Sequence, residues 1–237
     1  MMHFLTFAGK SSHDFGIHIS GEGTYNRPRR KFEEYSVPGR NGTLIIDDDS
    51  FENITIAYPS YVVDKMPQHI EDFANYISQF KGYQRLEDTY SPETFRLAQY
   101  SAGLEIKSKG YMNRMGTFDI EFNCKPQRFL KSGEKKITYS AAGTIWNRTN
   151  YASKPLLRVH GSGAGTVSIG DYTISITAIS SYVDIDCELM DAYKGAANRN
   201  QYVSFNADTF KIDPGTHGVS FTGAITKVDV TPRFFII

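Results

Sequence analysis

Apolar positions in this chain alternate with polar ones far more often than they recur every three or four residues, and that period favours strands. The clearest case is 116–124, where Phe118, Ile120 and Phe122 fall on one side and Thr117, Asp119 and Glu121 on the other. Pro126 is expected to end that run. Residues 3–7 and 15–20 read as two strands joined through the turn-rich 9–14, which predicts an opening hairpin. Further strands are predicted at 43–46 and 53–58, separated by a turn at Asp47-Asp48-Asp49-Ser50, and at 94–99 and 104–109. One segment breaks the pattern. Pro67 suits a first helical turn, Glu71 and Asp72 suit its positive end, and Ile70, Phe73, Ala74, Ile77 and Phe80 recur at helical spacing before Gly82, which predicts a helix over 68–80.

Between the first strands and this helix, 21–40 is polar and punctuated by Gly23, Pro28, Pro38 and Gly39, the mark of an exposed loop or hairpin arm. Arg27, Arg29, Arg30 and Lys31 precede Glu33 and Glu34, so the basic cluster is answered at once by acid and reads as a solvated or protein-contacting arm. The polar stretch 129–136 reads as a linker. Beyond it, short candidate strands at 136–140, 156–160, 165–169, 172–176, 182–186, 201–206, 218–222 and 226–231 imply a two-sheet sandwich. The expected organisation is an N-terminal domain over 1–130 and a β-sandwich domain over 131–237.

Composition narrows the function classes. The chain has 237 residues with 26 basic and 26 acidic side chains, so its net charge is zero. Divided after Gly133, the first part holds 16 basic and 17 acidic residues and the second 10 and 9, so neither half carries a field suited to nucleic acid. No run approaches the roughly 18 apolar residues of a membrane span. The N-terminus lacks a basic leader and a sustained apolar run, so no signal peptide is expected. Cys124 and Cys187 are too few and too far apart for a disulfide framework or a metal knuckle, and free thiols in a protein made in a reducing cytoplasm are expected.

Candidate chemistry is sparse. Gly161-Ser162-Gly163-Ala164-Gly165 has the wrong glycine spacing for a dinucleotide loop and precedes a strand instead of a helix, so a tight β-turn is the expectation. His3, His13, His18, His69, His160 and His217 show no metal-ligand spacing. Asp184 and Asp186, with Glu188 nearby, are the best available acids for a hydrolase, yet no second element supplies a matched partner, and a polar outer strand face accounts for them. No nucleophile elbow or calcium loop occurs. The residues imply no cofactor, no metal and no enzyme.

Three stretches taken together carry a resemblance: 7–17 (Phe-Ala-Gly-Lys-Ser-Ser-His-Asp-Phe-Gly-Ile), Val37-Pro38-Gly39-Arg40-Asn41-Gly42, and 116–126, which closes on Phe122-Asn123-Cys124-Lys125-Pro126. In the second half, 150–163, Ile185-Asp186-Cys187-Glu188, Asp213-Pro214-Gly215 and Pro232-Arg233-Phe234 agree with it. The chain resembles, over essentially its whole length, the distal tail protein family of long-tailed, non-contractile bacteriophages and prophages. That resemblance implies a mainly β protein with a small β-barrel-like N-terminal domain, one helix and an extended β-hairpin arm, followed by a galectin-like β-sandwich. It implies a structural role at the phage tail tip: a homo-hexameric ring joining the tail tube protein to the tail-tip or tail-associated lysin protein and the baseplate. Tape-measure and receptor-binding proteins are further candidate partners. Val37, Pro38, Gly39, Arg40 and Gly42 would then lie on the hairpin that reaches a neighbouring subunit, with Arg40 a candidate for an intersubunit ion pair.

The alternative is a lectin-like, carbohydrate-binding module for host-surface attachment, since a sandwich can present an aromatic platform for sugar. Against it, Trp146 is the single tryptophan, and Tyr172, Tyr182, Tyr193 and Tyr202 show no platform spacing. The segment from Lys131 to Ile237 also leaves no room for the inserted sugar-binding modules of the family's larger members.

Overall fold

A computed structural model describes residues 3–20, 26–100, 102–103, 107–109, 115–206 and 209–237. The polypeptide divides into two compact units, 1–128 with 237, and 129–236. Both are built mainly of strands.

The first unit contains β1 (Leu5–Phe7), β2 (Lys10–Ser11), β3 (Ile17–Ile19), β4 (Arg30–Ser36), β5 (Thr43–Phe51), β6 (Ile54–Val62), α1 (Met66–Ser78), β7 (Gln84–Asp88), β8 (Thr94–Tyr100), β9 (Lys107–Lys109) and most of β10 (Met115–Leu130). Its main sheet runs β2-β1-β7-β8-β10-β6-β3, with β9 also on β10, and curls as an open half-barrel. The alternation read from the sequence is realised in β6, which buries Ile54, Ile56, Tyr58, Ser60 and Val62 and pairs antiparallel with β10 from Val62–Gly116 to Ile54–Cys124. Helix α1 lays Met66, Ile70, Phe73 and Ile77 into the same core as Phe7, Phe118, Ile120 and Phe122. Phe73 meets Phe15 edge-on at 5.5 Å and Phe7 meets Phe122 at 4.9 Å, aromatic contacts that add to burial.

Three local expectations change. The segments 3–7 and 15–20 form no ladder with each other: β1 makes its hairpin with β2 and also pairs with β7, β3 pairs with β6, and a single bridge from His3 to Ile19 joins the two segments. A 3-10 turn at Ser12–Phe15 intervenes, capped by Ser11 and Asp14, and it reverses the chain before β3 can reach β1. Pro126 does not end β10, which continues to Leu130; the ladder with β6 already stops at Cys124, so proline removes no hydrogen bond from it. Asp47 to Ser50 is strand and not turn. Of the predicted strand 104–109 only 107–109 are described, and Gly23 also lies outside the described residues.

The second unit contains the end of β10 and β11 (Ile137–Tyr139), β12 (Gly143–Asn147), β13 (Leu156–Ile169), β14 (Tyr172–Ile176), β15 (Ser181–Asp186), β16 (Asp191–Lys194), β17 (Ala197–Asn198), β18 (Val203–Phe205), β19 (Gly215–Thr231) and β20 (Phe235–Ile236). Strands β13 and β19 are long and bent, and each serves both layers of a sandwich. Their first and last portions, respectively, pair together and carry β15 and β11; their other portions pair together and carry β14 and β12. Between the layers lie Leu157, Val159, Val167, Ile169, Ile174, Val183, Ile185, Val228 and Val230.

The glycine-rich segment at 161–165 is the corner of β13 and not a tight turn. The register with β19 shifts there, and a Cβ on Gly161 or Gly165 would stand 2.4 Å from the carbonyl oxygen of Ala224 or Thr222. On the facing strand, Gly223 adopts φ +72° and approaches the Ala164 carbonyl in the same way. Glycine lets two backbones cross at a distance no side chain permits.

Candidate functional site

Among the described residues, the β4–β5 arm groups several exposed apolar side chains on one element. Its two strands pair only with each other, from Ser36–Thr43 at the tip to Arg30–Phe51 at the base. Val37-Pro38-Gly39-Arg40 forms the tip turn, closed by the Arg40 N–H donating to the Val37 carbonyl at 3.1 Å, with Gly39 at φ +80°. Proline followed by a left-handed glycine is the residue pair a type II turn demands. Gly42, at φ +82°, then turns the chain into β5. The sequence-derived site residues Val37, Pro38, Gly39, Arg40 and Gly42 are thus brought together at one end of the arm, all exposed. Among the described residues no ion pair engages the Arg40 side chain.

Below the tip, the pairing sorts side chains onto two faces. Tyr35, Leu44 and Ile46 share one face with Glu33; Phe32 and Ile45 share the other with Glu34 and Asp47. Ile45 is 61% exposed, Ile46 50% and Leu44 46%. A half-buried strand would place such residues on one side only. Here both faces carry exposed apolar side chains that no other described residue covers, a feature the sequence of 43–46 did not reveal because a run of three apolar residues has no face of its own.

Charged groups hold the base of the arm. β5 bulges opposite β4, and the Arg30 guanidinium reaches across to Asp47 and, at 2.9 Å, to Asp49. The hydrogen bond to Asp47 holds the Arg30 pKa above its ordinary value, while the Asp49 N–H at 2.9 Å and Arg30 hold the Asp47 carboxyl below its own. Arg29 lies over the Phe32 ring at 5.3 Å, and the Glu52 N–H donates to the Arg29 carbonyl at 2.8 Å. The Asp47–Asp49 segment that reads as an acidic turn is therefore the counter-charge to the arm's basic start.

In the second unit, the acids considered for hydrolysis are engaged. Asp184 receives both a 2.6 Å and a 2.9 Å bond from the Arg158 guanidinium, and Asp186 receives two at 2.8 Å from Arg233. Burial pushes the Asp186 carboxyl upward, but the Arg233 fork and the backbone N–H groups of Glu188 and Leu189 outweigh it, and its pKa lies below the ordinary carboxylate range. Glu188 sits 3.7 Å from Lys154 at the surface. Two carboxylates locked to separate guanidinium forks are poorly placed to share a proton. Trp146 is 56% exposed, with Arg148 stacked over one face at 4.2 Å. No group of three metal-ligating side chains occurs among the described residues. Cys124 and Cys187 are buried, and burial raises both thiols to about 12.

No family model and no curated protein matches the chain. Among solved structures it is similar to the crystal structure of the SPP1 Dit (gp 19.1) protein, described as a paradigm of the hub adsorption apparatus in phages that infect Gram-positive bacteria. The two superpose with a TM-score of 0.72 at 12% sequence identity, over 97% of this chain and 98% of that one. Along nearly its whole length, then, this mainly β chain, with one α-helix among its described residues and an exposed arm, has the fold of the SPP1 Dit protein, the fold that its sequence resemblance to the distal tail proteins implies.

Proposed function

We propose that this chain is a structural hub protein at the distal end of a non-contractile phage or prophage tail. Six copies form a ring that joins the tail tube to the tail-tip or lysin protein, so the chain resides in the virion tail tip and has no catalytic role. One observation carries the reading: both faces of the β4–β5 arm carry exposed apolar side chains, and among the described residues its strands pair only with each other. An isolated two-stranded hairpin is marginally stable in water, and an exposed flat edge invites pairing. A closed cyclic assembly resolves both problems by giving every arm the same neighbour. The full-length likeness to a hub protein supports the same reading.

In this reading the tip residues Val37 to Gly42 reach the adjacent subunit, and the unpaired Arg40 guanidinium meets an acidic group there. The test is mass by light scattering after size-exclusion chromatography across a concentration series, with negative-stain images of the large species. Rings of six subunits with a central hole are expected. A chain that remains monomeric at the highest concentration, with no ring in any image, overturns the proposal.

A further inference from the structure

At one end of the first unit's core lies a cavity of about 70 Å³ lined by Arg27, Tyr58, Asp88, Arg96, Arg128 and Ile237 among others. One ordered water needs roughly 10–15 Å³ of such space, so the cavity admits something larger. Arg27, Arg96 and Arg128 bring three guanidinium groups to its walls, against the Asp88 carboxylate and the main-chain oxygen of Ile237, the last residue of the sequence.

The carboxylate is already satisfied by neutral donors. Asp88 Oδ2 accepts from the Tyr58 hydroxyl at 2.7 Å, and its Oδ1 accepts from the backbone N–H groups of Tyr90 and Ser91 at 3.0 and 2.9 Å. Arg27 gives one N–H to the backbone oxygen of Ile237 at 2.8 Å. Arg96 and Arg128 have no such partner. Arg96 pairs across the sheet with the buried Leu86 and so points to the interior, and its Nη1 is buried without a hydrogen-bond acceptor among the described residues. No ion pair engages either Arg96 or Arg128 among the described residues. Burial, with the neighbouring Arg128 charge, pulls the Arg96 pKa below its ordinary value, and the opposing pull of Asp88, Tyr58 and Cys124 does not offset it. Guanidinium groups are planar forks that bind oxyanions bidentately, and an unpaired buried donor is costly to leave unmet.

We infer that this cavity is a binding site for a single tetrahedral oxyanion of the phosphate or sulfate class, held by Arg96 and Arg128 with Arg27 at its rim. A carboxylate has two oxygens and is saturated by one fork, whereas a four-oxygen anion engages two forks at once. The residues that line the cavity lie outside β4 and β5.

The experiment uses the full chain in sodium phosphate, sodium sulfate, sodium acetate or sodium chloride at one fixed ionic strength and pH 7. Thermal melting and isothermal titration are followed for the wild type, Arg96→Gln and Arg128→Gln. Phosphate and sulfate are expected to raise the wild-type melting temperature saturably, by roughly 5–10 °C at a hundredfold excess over Kd. Both variants should bind phosphate at least tenfold more weakly. Should one variant fail to fold, the other still carries the comparison. An equal response of wild type and variants, or no response beyond chloride at millimolar anion, overturns the site and leaves a water-filled cavity. Acetate matching phosphate in the wild type overturns the tetrahedral assignment.

Discussion

At the scale of single residues, the glycines of the sandwich corner and the arginine forks make the sharpest claims. Gly223→Ala must place a Cβ 2.4 Å from the Ala164 carbonyl at φ +72°, so both overlap and backbone strain oppose it. The expected loss is about 2–4 kcal/mol, read by urea denaturation. Arg233→Met would leave the Asp186 carboxylate, nearly buried, with only two backbone donors. Breaking such a pair costs about 2–3 kcal/mol after discounting for the partial exposure of Arg233. The pH dependence follows from the depressed Asp186 pKa. A carboxyl with a folded pKa below its unfolded value stabilises the fold above the ordinary carboxylate range and loses that contribution as pH falls through its folded value. The penalty of Arg233→Met should therefore be full at pH 7 and shrink in melts run below about pH 4. A penalty that does not change over this range removes the ion pair as its cause.

The elements divide into those that stabilise their own chain and one that does not. Helix α1 belongs to the first kind. Phe73 is fully buried against Phe15, and Phe73→Ala should cost about 3–5 kcal/mol in denaturant titration. The β4–β5 arm belongs to the second. Leu44→Asp with Ile45→Asp places one charge on each exposed face, and at such positions substitutions shift subunit stability by no more than about 0.5 kcal/mol. The same pair of changes should abolish the assembled species in light scattering, because the arm's apolar faces are what a neighbour would bury. Arg40→Glu at the tip should weaken assembly and leave the melting temperature of the subunit in place. A folded double variant that still assembles fully would separate the arm from subunit contact.

For the whole molecule, each compact unit holds one cysteine in its core, Cys124 in the first and Cys187 in the second, and both thiols are pushed to about 12. Only the thiolate reacts, so neither should be labelled by a thiol reagent at pH 8 while its unit is folded. Cys124→Ser and Cys187→Ser leave one reporter each, and the denaturant at which the remaining thiol becomes reactive reads the unfolding of its own unit. Rapid labelling of the native protein would contradict the burial of both. In the proposed assembly, surface changes on the arm are expected to act on association and core changes on folding, each read by its own measurement.

Much of this was legible in the sequence because it depends on neighbours a few residues apart. The alternation at Phe118, Ile120 and Phe122 determined a strand with one buried face, the spacing of Ile70, Phe73 and Ile77 determined the helix, and Pro38-Gly39 determined a turn at the tip of a polar arm. Pairing over long separations was decided only in three dimensions. That β1 pairs with β7, that 156–160 and 165–169 are one bent strand, and that Asp47 and Asp49 face Arg30 all depend on register between distant segments, which local composition does not encode. The acids Asp184 and Asp186 illustrate the same limit: the sequence placed both on one face of a strand, but their guanidinium partners, Arg158 and Arg233, come from other elements. Periodicity is a property of the backbone next to a residue and survives without the fold. The charge that meets a charge, and the surface left without a cover, exist only once the chain has closed on itself.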